Sequence, residues 1–280
     1  LKFIDFAITK SSWAGDAVSR VPSFLDDPRL QALLAPKPPK KLLPHKEALE
    51  RTLLPRRCFT GRSSHAPSPH SSVLGGEPGL STGMEWPRDS KGQPGKRNSS
   101  SLRRARKCIG WPREGRLMFF VSDEAARCLR GECRVLHSDG IHNVGSKPVQ
   151  AEVEKLFGGH LVTTPGTFHL HSYLQPMSGC DYRFDQVAPG TDAKTKKKWT
   201  DKHSPLPVKN QVGGYPYFTQ DEDQRRATDD PETDVLLLQI DSDPQFGLSW
   251  GDNGIVQFFV PAADLAKGDF TRVRFLGDCL

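Results

Sequence analysis

Asp241, Ser242, Asp243 and Asp252 crowd a stretch that also holds Gly251 and Gly254. Carboxylates two residues apart share a face of an extended strand, and Asp252 could approach them across a turn. Such a group can bind a divalent cation or work as a general acid and base. Gln239 belongs with it, because a polar residue on an otherwise apolar strand needs a hydrogen-bond partner. Trp250 immediately precedes the turn. Asp-Ser-Asp and Gly-Asp-Asn-Gly are also turn formers, since Asp and Asn side chains bond nearby amides and Gly accepts positive φ. Turns are the expectation, and a metal-assisted hydrolase or related enzyme using Asp241, Asp243 and Asp252 is the alternative.

Four other constellations could carry chemistry. Gly247-Leu248-Ser249-Trp250-Gly251 fits a nucleophile elbow, but an elbow needs a helix after its serine. Here the following run, 255–260, reads as a strand, so a tight β turn is expected. Cys128, Cys133, His137 and His142 suggest zinc, yet a finger needs about twelve residues between its Cys and His pairs. Only three separate Cys133 from His137, so unrelated thiols and surface imidazoles are expected. His169 and His171 would share one strand face and could hold a metal if a third ligand joined them. None is identifiable by spacing. Lys194, Lys196, Lys197 and Lys198 precede Trp199 and could serve nucleic acid through phosphate contacts and stacking. A solvated loop is the expectation. No phosphate-cradling loop or dinucleotide fingerprint occurs.

The elements that would position these residues are mostly strands. The run 235–240 is apolar between Asp/Pro clusters and predicts a strand with both faces largely covered. The run 255–260 predicts another. Residues 271–275 alternate, with Thr271, Val273 and Phe275 on one face. Between these, Pro261 can open a helical turn and Gly268 can close it. Two matched markers suggest that one supersecondary unit is used twice. Gly75-Gly76-Glu77-Pro78 precedes Phe119-Phe120-Val121 by 44 residues, and Gly213-Gly214-Tyr215-Pro216 precedes Phe258-Phe259-Val260 by 45. Segment 95–110 breaks the parallel. A core strand belongs there, yet the chain is basic and without alternation, and predicts a solvated loop. Upstream, short helices are expected at 26–34 and 45–54 around a basic, proline-rich connector. Residues 61–72 read as a flexible lead-in.

A chain of 280 residues can build one large domain or two modest ones. Its net charge of +6 permits anionic partners without demanding them. No run has the apolar length of a membrane span. The start has a charge at Asp5 and too short an apolar stretch for a secretion signal. Six scattered cysteines read as reduced thiols of a cytoplasmic protein rather than a disulfide framework.

Several motifs occur together: Val212 to Asp221, Leu236 to Asp243, Trp250-Gly251-Asp252-Asn253-Gly254, Phe258-Phe259-Val260 and Asp278-Cys279. With Glu85-Trp86-Pro87-Arg88 and the 115–121 run they make the chain resemble the YwqG-like family, bacterial proteins of unassigned function. The resemblance implies an all-β, roll-like fold with internal duplication and no established activity. Two departures stand out. The family has a Phe-Leu-Ala-Gln-type strand where this chain has 98–107. Some codon choices for Ser100-Ser101-Leu102-Arg103-Arg104, read in a shifted frame, encode that motif, so a local frameshift would account for it. The family also favours Trp before Asp-Cys, where this chain has Gly277.

The expected fold is therefore mainly β and roll-like, with internal duplication and a few short helices. Residues 1–70 are expected to form a loosely ordered extension. Residues 71–280 would form the domain, with repeat units at about 71–135 and 208–280. The expected function is non-enzymatic binding of a protein partner or small ligand, without nucleic acid or membrane. Gln239, Asp241, Asp243, Trp250 and Asp252 are the candidate binding residues, and no cofactor is specified.

Overall fold

The apolar runs read from the sequence are strands in the computed structural model. The structure describes residues 4–6, 38–63, 73–74, 84–85, 87–93, 96–99, 115–138, 166–203, 210–220, 223–227 and 234–279. The strands are β1 (Ile4–Phe6), β2 (Leu54–Ser63), β3 (Val73–Leu74), β4 (Lys96–Ser99), β5 (Arg116–Val121) and β6 (Arg130–Gly131). They continue with β7 (Cys133–Ser138), β8 (Gly166–Gln175), β9 (Gln211–Gly213), β10 (Asp234–Asp241), β11 (Ile255–Pro261) and β12 (Arg274–Asp278). The α-helices are short: α1 (Lys46–Arg51), α2 (Asp123–Cys128), α3 (Phe184–Val187), α4 (Ala193–Lys202) and α5 (Ala262–Lys267). The fold is mainly β, as expected.

One 12-stranded sheet runs in the order β4-β5-β1-β3-β8-β2-β9-β10-β11-β12-β6, with β7 paired to β5. Strand β6 pairs with β12, whereas β7, one residue further on, pairs with β5. A single stretch of chain thus grips strands near both ends of the sheet, and the sheet curls on itself. Curling leaves fewer exposed edges for another chain to extend. Inside lies a core that includes Phe59, Phe119, Val121, Leu238, Trp250, Phe258 and Phe275. Phe119 and Phe258, the first residues of the two Phe-Phe-Val markers, meet edge-on at 4.9 Å. Each marker strand leads into a six-residue helix, and each is paired antiparallel by a later strand, β7 or β12.

The apolar strand β10 carries a bulge. Its register against β11 shifts between Leu236 and Leu238, leaving Leu237 as the extra residue. Leu237 and Leu238 both pack in the main core, while Leu236 joins Phe218, Phe259 and Leu276 in a smaller cluster. Without the bulge, strict alternation would place Gln239 on the same face as Leu237. With it, Gln239 turns to the face that carries Phe259.

Four local expectations are corrected. Residues 96–99 are strand β4, with Lys96 opposite Val121 and Ser99 opposite Met118. Buried β5 needs partners for its backbone groups, and a ladder accepts any side chain that can point away. The rest of 95–110 lies outside the described residues. Residues 61–63 complete β2 rather than a flexible lead-in. The last strand starts at Arg274, because Asp269 bonds the Thr271 amide and hydroxyl in a turn. The lysine run is helical, not a loop. Asp192 caps α4 by accepting from the Thr195 amide at 3.0 Å. Trp199 anchors it by burial with Leu42, Leu49, Met177 and Phe184. The helix expected at 45–54 appears as α1, and that expected at 26–34 lies outside the described residues, as does the first Gly-Gly marker. Pro261 and Gly268 bound α5 as anticipated.

Candidate functional site

Residues 213–220, within the Val212–Asp221 motif, cross the sheet face that the β10 bulge gives to Gln239. Gly213 and Gly214 adopt φ of 66° and 73°, and these two left-handed residues take the chain out of β9 and across the sheet. Five polar side chains then hold the crossing segment, or strap. Gln175 accepts from the Tyr215 amide at 2.9 Å. Gln211 donates to the carbonyls of Gly213 and Tyr215 at 2.9 and 2.8 Å. Gln239 accepts from the Tyr217 amide at 2.7 Å, and Gln257 donates to the Tyr217 carbonyl at 2.8 Å. Asp278 accepts from the Thr219 amide and hydroxyl and the Gln220 amide, at 2.6 to 3.0 Å.

These five residues come from β8, β9, β10, β11 and β12, with β2 between the first two. Gln211 is opposite Gln239, and Gln239 is opposite Gln257. All five are buried, and each buried backbone group of the strap needs such a partner. The hydrogen-bond partner that Gln239 required is thus a backbone amide 22 residues away.

A methyl group at Gly214 would approach Gln175 Oε1 to 2.4 Å and Arg56 Cβ to 2.7 Å. Gly214→Ala is expected to lose roughly 2–5 kcal/mol, combining left-handed strain with overpacking. Gly190 has the same φ of 73° with open space around it. Denaturant melts of Gly214→Ala and Gly190→Ala therefore separate the clash from the dihedral cost. Equal losses in the two variants would show that the strap tolerates displacement.

The sequence candidates do not converge on a reaction centre. Asp243 caps the 3-10 turn Pro244–Phe246 by accepting from the Gln245 amide at 3.0 Å, and burial raises its carboxyl pKa. Its backbone pairs with Leu248. The Asp241 amide donates to Asn210 Oδ1 at 2.8 Å. Asp252 is exposed in the turn before Gly254. Trp250 is fully buried, with its ring 6.1 Å from that of Phe275, and offers no binding surface. Among the described residues no group of three or more His, Cys, Asp or Glu is placed to hold a metal.

Of the other constellations, Ser249, Cys133 and Trp199 take structural roles. The Ser249 hydroxyl donates to the Gly251 carbonyl at 3.1 Å, in a turn with no helix after it. Cys133 is buried, its thiol pKa is pushed up to about 12 by that burial, and it donates to the Val273 carbonyl. A thiol so held is a poor zinc ligand, because zinc binds the thiolate. Cys128 is exposed, and His142 lies outside the described residues. All five described cysteines are free thiols. His169 and His171 lie in β8 opposite Thr60 and Cys58. Trp199 is buried and donates to the Met177 carbonyl at 2.9 Å, so it is not a stacking platform. Among the described residues no helix is long and apolar enough to cross a membrane.

A charged cluster escaped the sequence reading. Asp181-Tyr182-Arg183 and Asp223-Gln224-Arg225 are both Asp-x-Arg, and in each the arginine bonds back to its own aspartate. Arg225 then crosses to Asp181 Oδ2 at 2.7 Å, joining the two segments. Asp181, Asp223 and Arg225 are all buried. Burial works against the Arg225 charge, but bonds to Asp223 and the charge of Asp181 hold its pKa above the ordinary value. Burial opposes the Asp181 charge too, and the Arg183 bonds and Arg225 charge outweigh it, so that carboxyl sits below its usual range. The repeated Asp-x-Arg spacing was the available signal.

Arg56 links His203 to the strap, donating to Gln211 Oε1 and to the His203 carbonyl. His203 is 5% exposed, and its Nδ1 lies 2.8 Å from the Trp199 carbonyl. Burial lowers its pKa from 6.5 to about 4. The folded state therefore binds this proton less readily than the unfolded state. Stability is full above pH 6.5 and falls as the pH drops toward 4, by up to about 3 kcal/mol. His203→Gln is expected to flatten that part of the stability profile, measured by urea melts across the window. An unchanged slope would assign the acid sensitivity elsewhere.

A family model described as "Domain of unknown function (DUF1963)" matches residues 72–279. Comparison with curated proteins gives no match.

Proposed function

The chain belongs to the family described as domain of unknown function DUF1963, and we propose that it is a YwqG-like, non-enzymatic binding or interaction protein of the cytoplasm. The observation that carries this reading is the use made of its motif residues. Gln239, Gln257 and Asp278 hold the strap, Asp243 caps a turn, and Trp250 fills the core. These groups are committed to backbone hydrogen bonds or packing, which suits a rigid scaffold that presents a surface. We read the recurrence of the Phe-Phe-Val strand, six-residue helix and later antiparallel strand as a duplication within this scaffold. We read the domain as extending upstream of 71, a reading supported by β2 lying between β8 and β9.

The test is a hydrolysis screen with ester and phosphate-ester substrates, with magnesium, calcium or zinc added in turn. No turnover above buffer is expected, and melting should not depend on the ions. Turnover, or a calcium- or magnesium-dependent rise in melting temperature, that disappears in Asp252→Ala would favour the hydrolase reading instead.

A further inference from the structure

Apart from its Asp192 cap and Asp201, helix α4 carries a run of like charges that its own stability does not favour. It has no acidic residue in its first turn, where the helix dipole favours one, and carries Lys194 and Lys196 there. Lys194 and Lys198 lie at i and i+4, as do Lys198 and Lys202, and Lys194 and Lys197 lie at i and i+3. Like charges at these spacings repel across one helix face and destabilise the helix. Lys194, Lys197, Lys198 and Lys202 are exposed. The inward face, with Thr195, Trp199 and Thr200, already anchors the helix, so packing does not require the lysine stripe.

The segment before β2 adds to the same surface. Leu42 and Leu49 pack with Trp199 in one cluster, and Lys41 Nζ reaches Asp192 at 2.9 Å. The 3-10 turn Lys40–His45 and α1 therefore sit against α4. Residues 40–51 and 192–202 together hold nine Lys or Arg and four Asp or Glu, a net +5 within a chain of net +6. In the 40–51 segment Leu43 is 50% exposed; Leu54, at the start of β2, is 36% exposed, and no other large hydrophobic is exposed among the described residues. An exposed leucine in a segment rich in cations gives a surface with both steering charge and an apolar contact.

We propose that this face docks an acidic segment of a partner protein, with carboxylates meeting Lys40, Lys194 and Lys198 and an apolar side chain covering Leu43. This rests on the binding-protein reading and names its surface and partner class. The charge pattern favours a protein over a bilayer. Lys46–Glu50, Arg51–Glu47 and Lys196–Asp185 ion pairs set fixed carboxylates among the lysines. A discrete partner can match such alternation, whereas a uniformly anionic sheet cannot. Nucleic acid is disfavoured because the one aromatic of α4, Trp199, is buried.

The experiment uses the full chain and a synthetic peptide of repeating Glu-Glu-Leu, with repeating Gln-Gln-Leu as the control. Salt-sensitive binding of the acidic peptide alone is expected. Lys194→Glu combined with Lys198→Glu should weaken it at least about tenfold, as should Leu43→Ser to a smaller degree. The same double variant should melt no lower than the parent, because each new carboxylate faces a lysine, at 197 and 202, and the first turn gains an acidic residue, which offsets the like-charge pair that remains between positions 194 and 198. Weaker binding with undiminished melting cannot arise from misfolding. Equal binding of both peptides, unaltered binding by the double variant, or a lower melting temperature would overturn the proposal. So would binding of phosphatidylglycerol vesicles or a single-stranded oligonucleotide in place of the peptide. Turnover in the hydrolysis screen would count against the binding-protein reading and leave these outcomes legible.

Discussion

A chain begun at residue 71 is expected to give no cooperative melting transition. The family match starts at 72, so such a chain would contain the entire matched region. It would lack β2, which pairs along ten residues with β8 and along three with β9. Removing it leaves two interior strands with unpaired backbone on their facing sides, and buried backbone groups need partners. Phe59, fully buried in the main core, goes with it. A lost core Phe alone costs about 3–5 kcal/mol, comparable with the lower range of a whole domain's stability, roughly 5–15 kcal/mol. Arg56, which donates to Gln211 and to the His203 carbonyl, would also be absent. Circular dichroism melts of the full chain and of a chain begun at 71 make the comparison. The longer one should melt cooperatively, and the shorter should not. A sharp transition in the shorter chain would mean that β8 and β9 can pair directly.

That expectation reverses the boundary read from the sequence, and the reason is physical. Residues 54–63 hold three arginines, a glycine and a proline, which blunts their apolar signal. A ladder is built from main-chain groups, so a strand with strong neighbours on both sides needs little apolar character of its own. The same holds for β4, whose Lys-Arg-Asn-Ser sequence gave no strand signal. By contrast 235–240 and 255–260 were legible because both faces are apolar or covered. What periodicity could not supply was the bulge at Leu237, and with it the direction of Gln239. The strap was hidden for a related reason. Each glutamine meets a backbone group through the curl of the sheet, and only Gln239, alone among leucines, announced that it needed one. The aspartates were legible as turn formers, since an Asx turn is a local contact two or three residues long. Gly277 shows the limit of motif comparison. A side chain there would come within 2.8 Å of Val256 and 3.1 Å of Leu129, so β12 cannot carry a tryptophan at that point in this chain.

Arg225→Ala is expected to cost about 3–5 kcal/mol, the range for breaking a buried ion pair on one side. Arg225 is 2% exposed and bonds both Asp181 and Asp223, whose side chains are 0% and 1% exposed. Its guanidinium also lies over the rings of Tyr182 and Phe259, at 5.1 and 5.5 Å. Truncation would leave two buried carboxylates facing Arg183 alone, and Arg183 is bonded to Asp181 only through its own local contact. The pH dependence follows from the carboxyl shift. With its pKa held low, Asp181 contributes stability that is present above its unfolded pKa and lost as the pH falls through the folded value. In the variant the Arg225 charge no longer lowers this pKa while the Arg183 bonds remain, so the same carboxyl should protonate at higher pH than in the parent. The penalty should therefore shrink as the pH falls. The His203 effect acts equally on both proteins and cancels in their difference. Paired urea melts at neutral pH and near pH 4.5 measure that difference directly. A loss below about 1 kcal/mol would place the cluster among ordinary surface pairs. A large loss that does not change with pH would assign it to packing against Tyr182 and Phe259 rather than to charge. The expected result, large and pH-dependent, would make the two Asp-x-Arg segments the electrostatic clasp joining residues 181–183 to 223–225, on the face that also carries the strap.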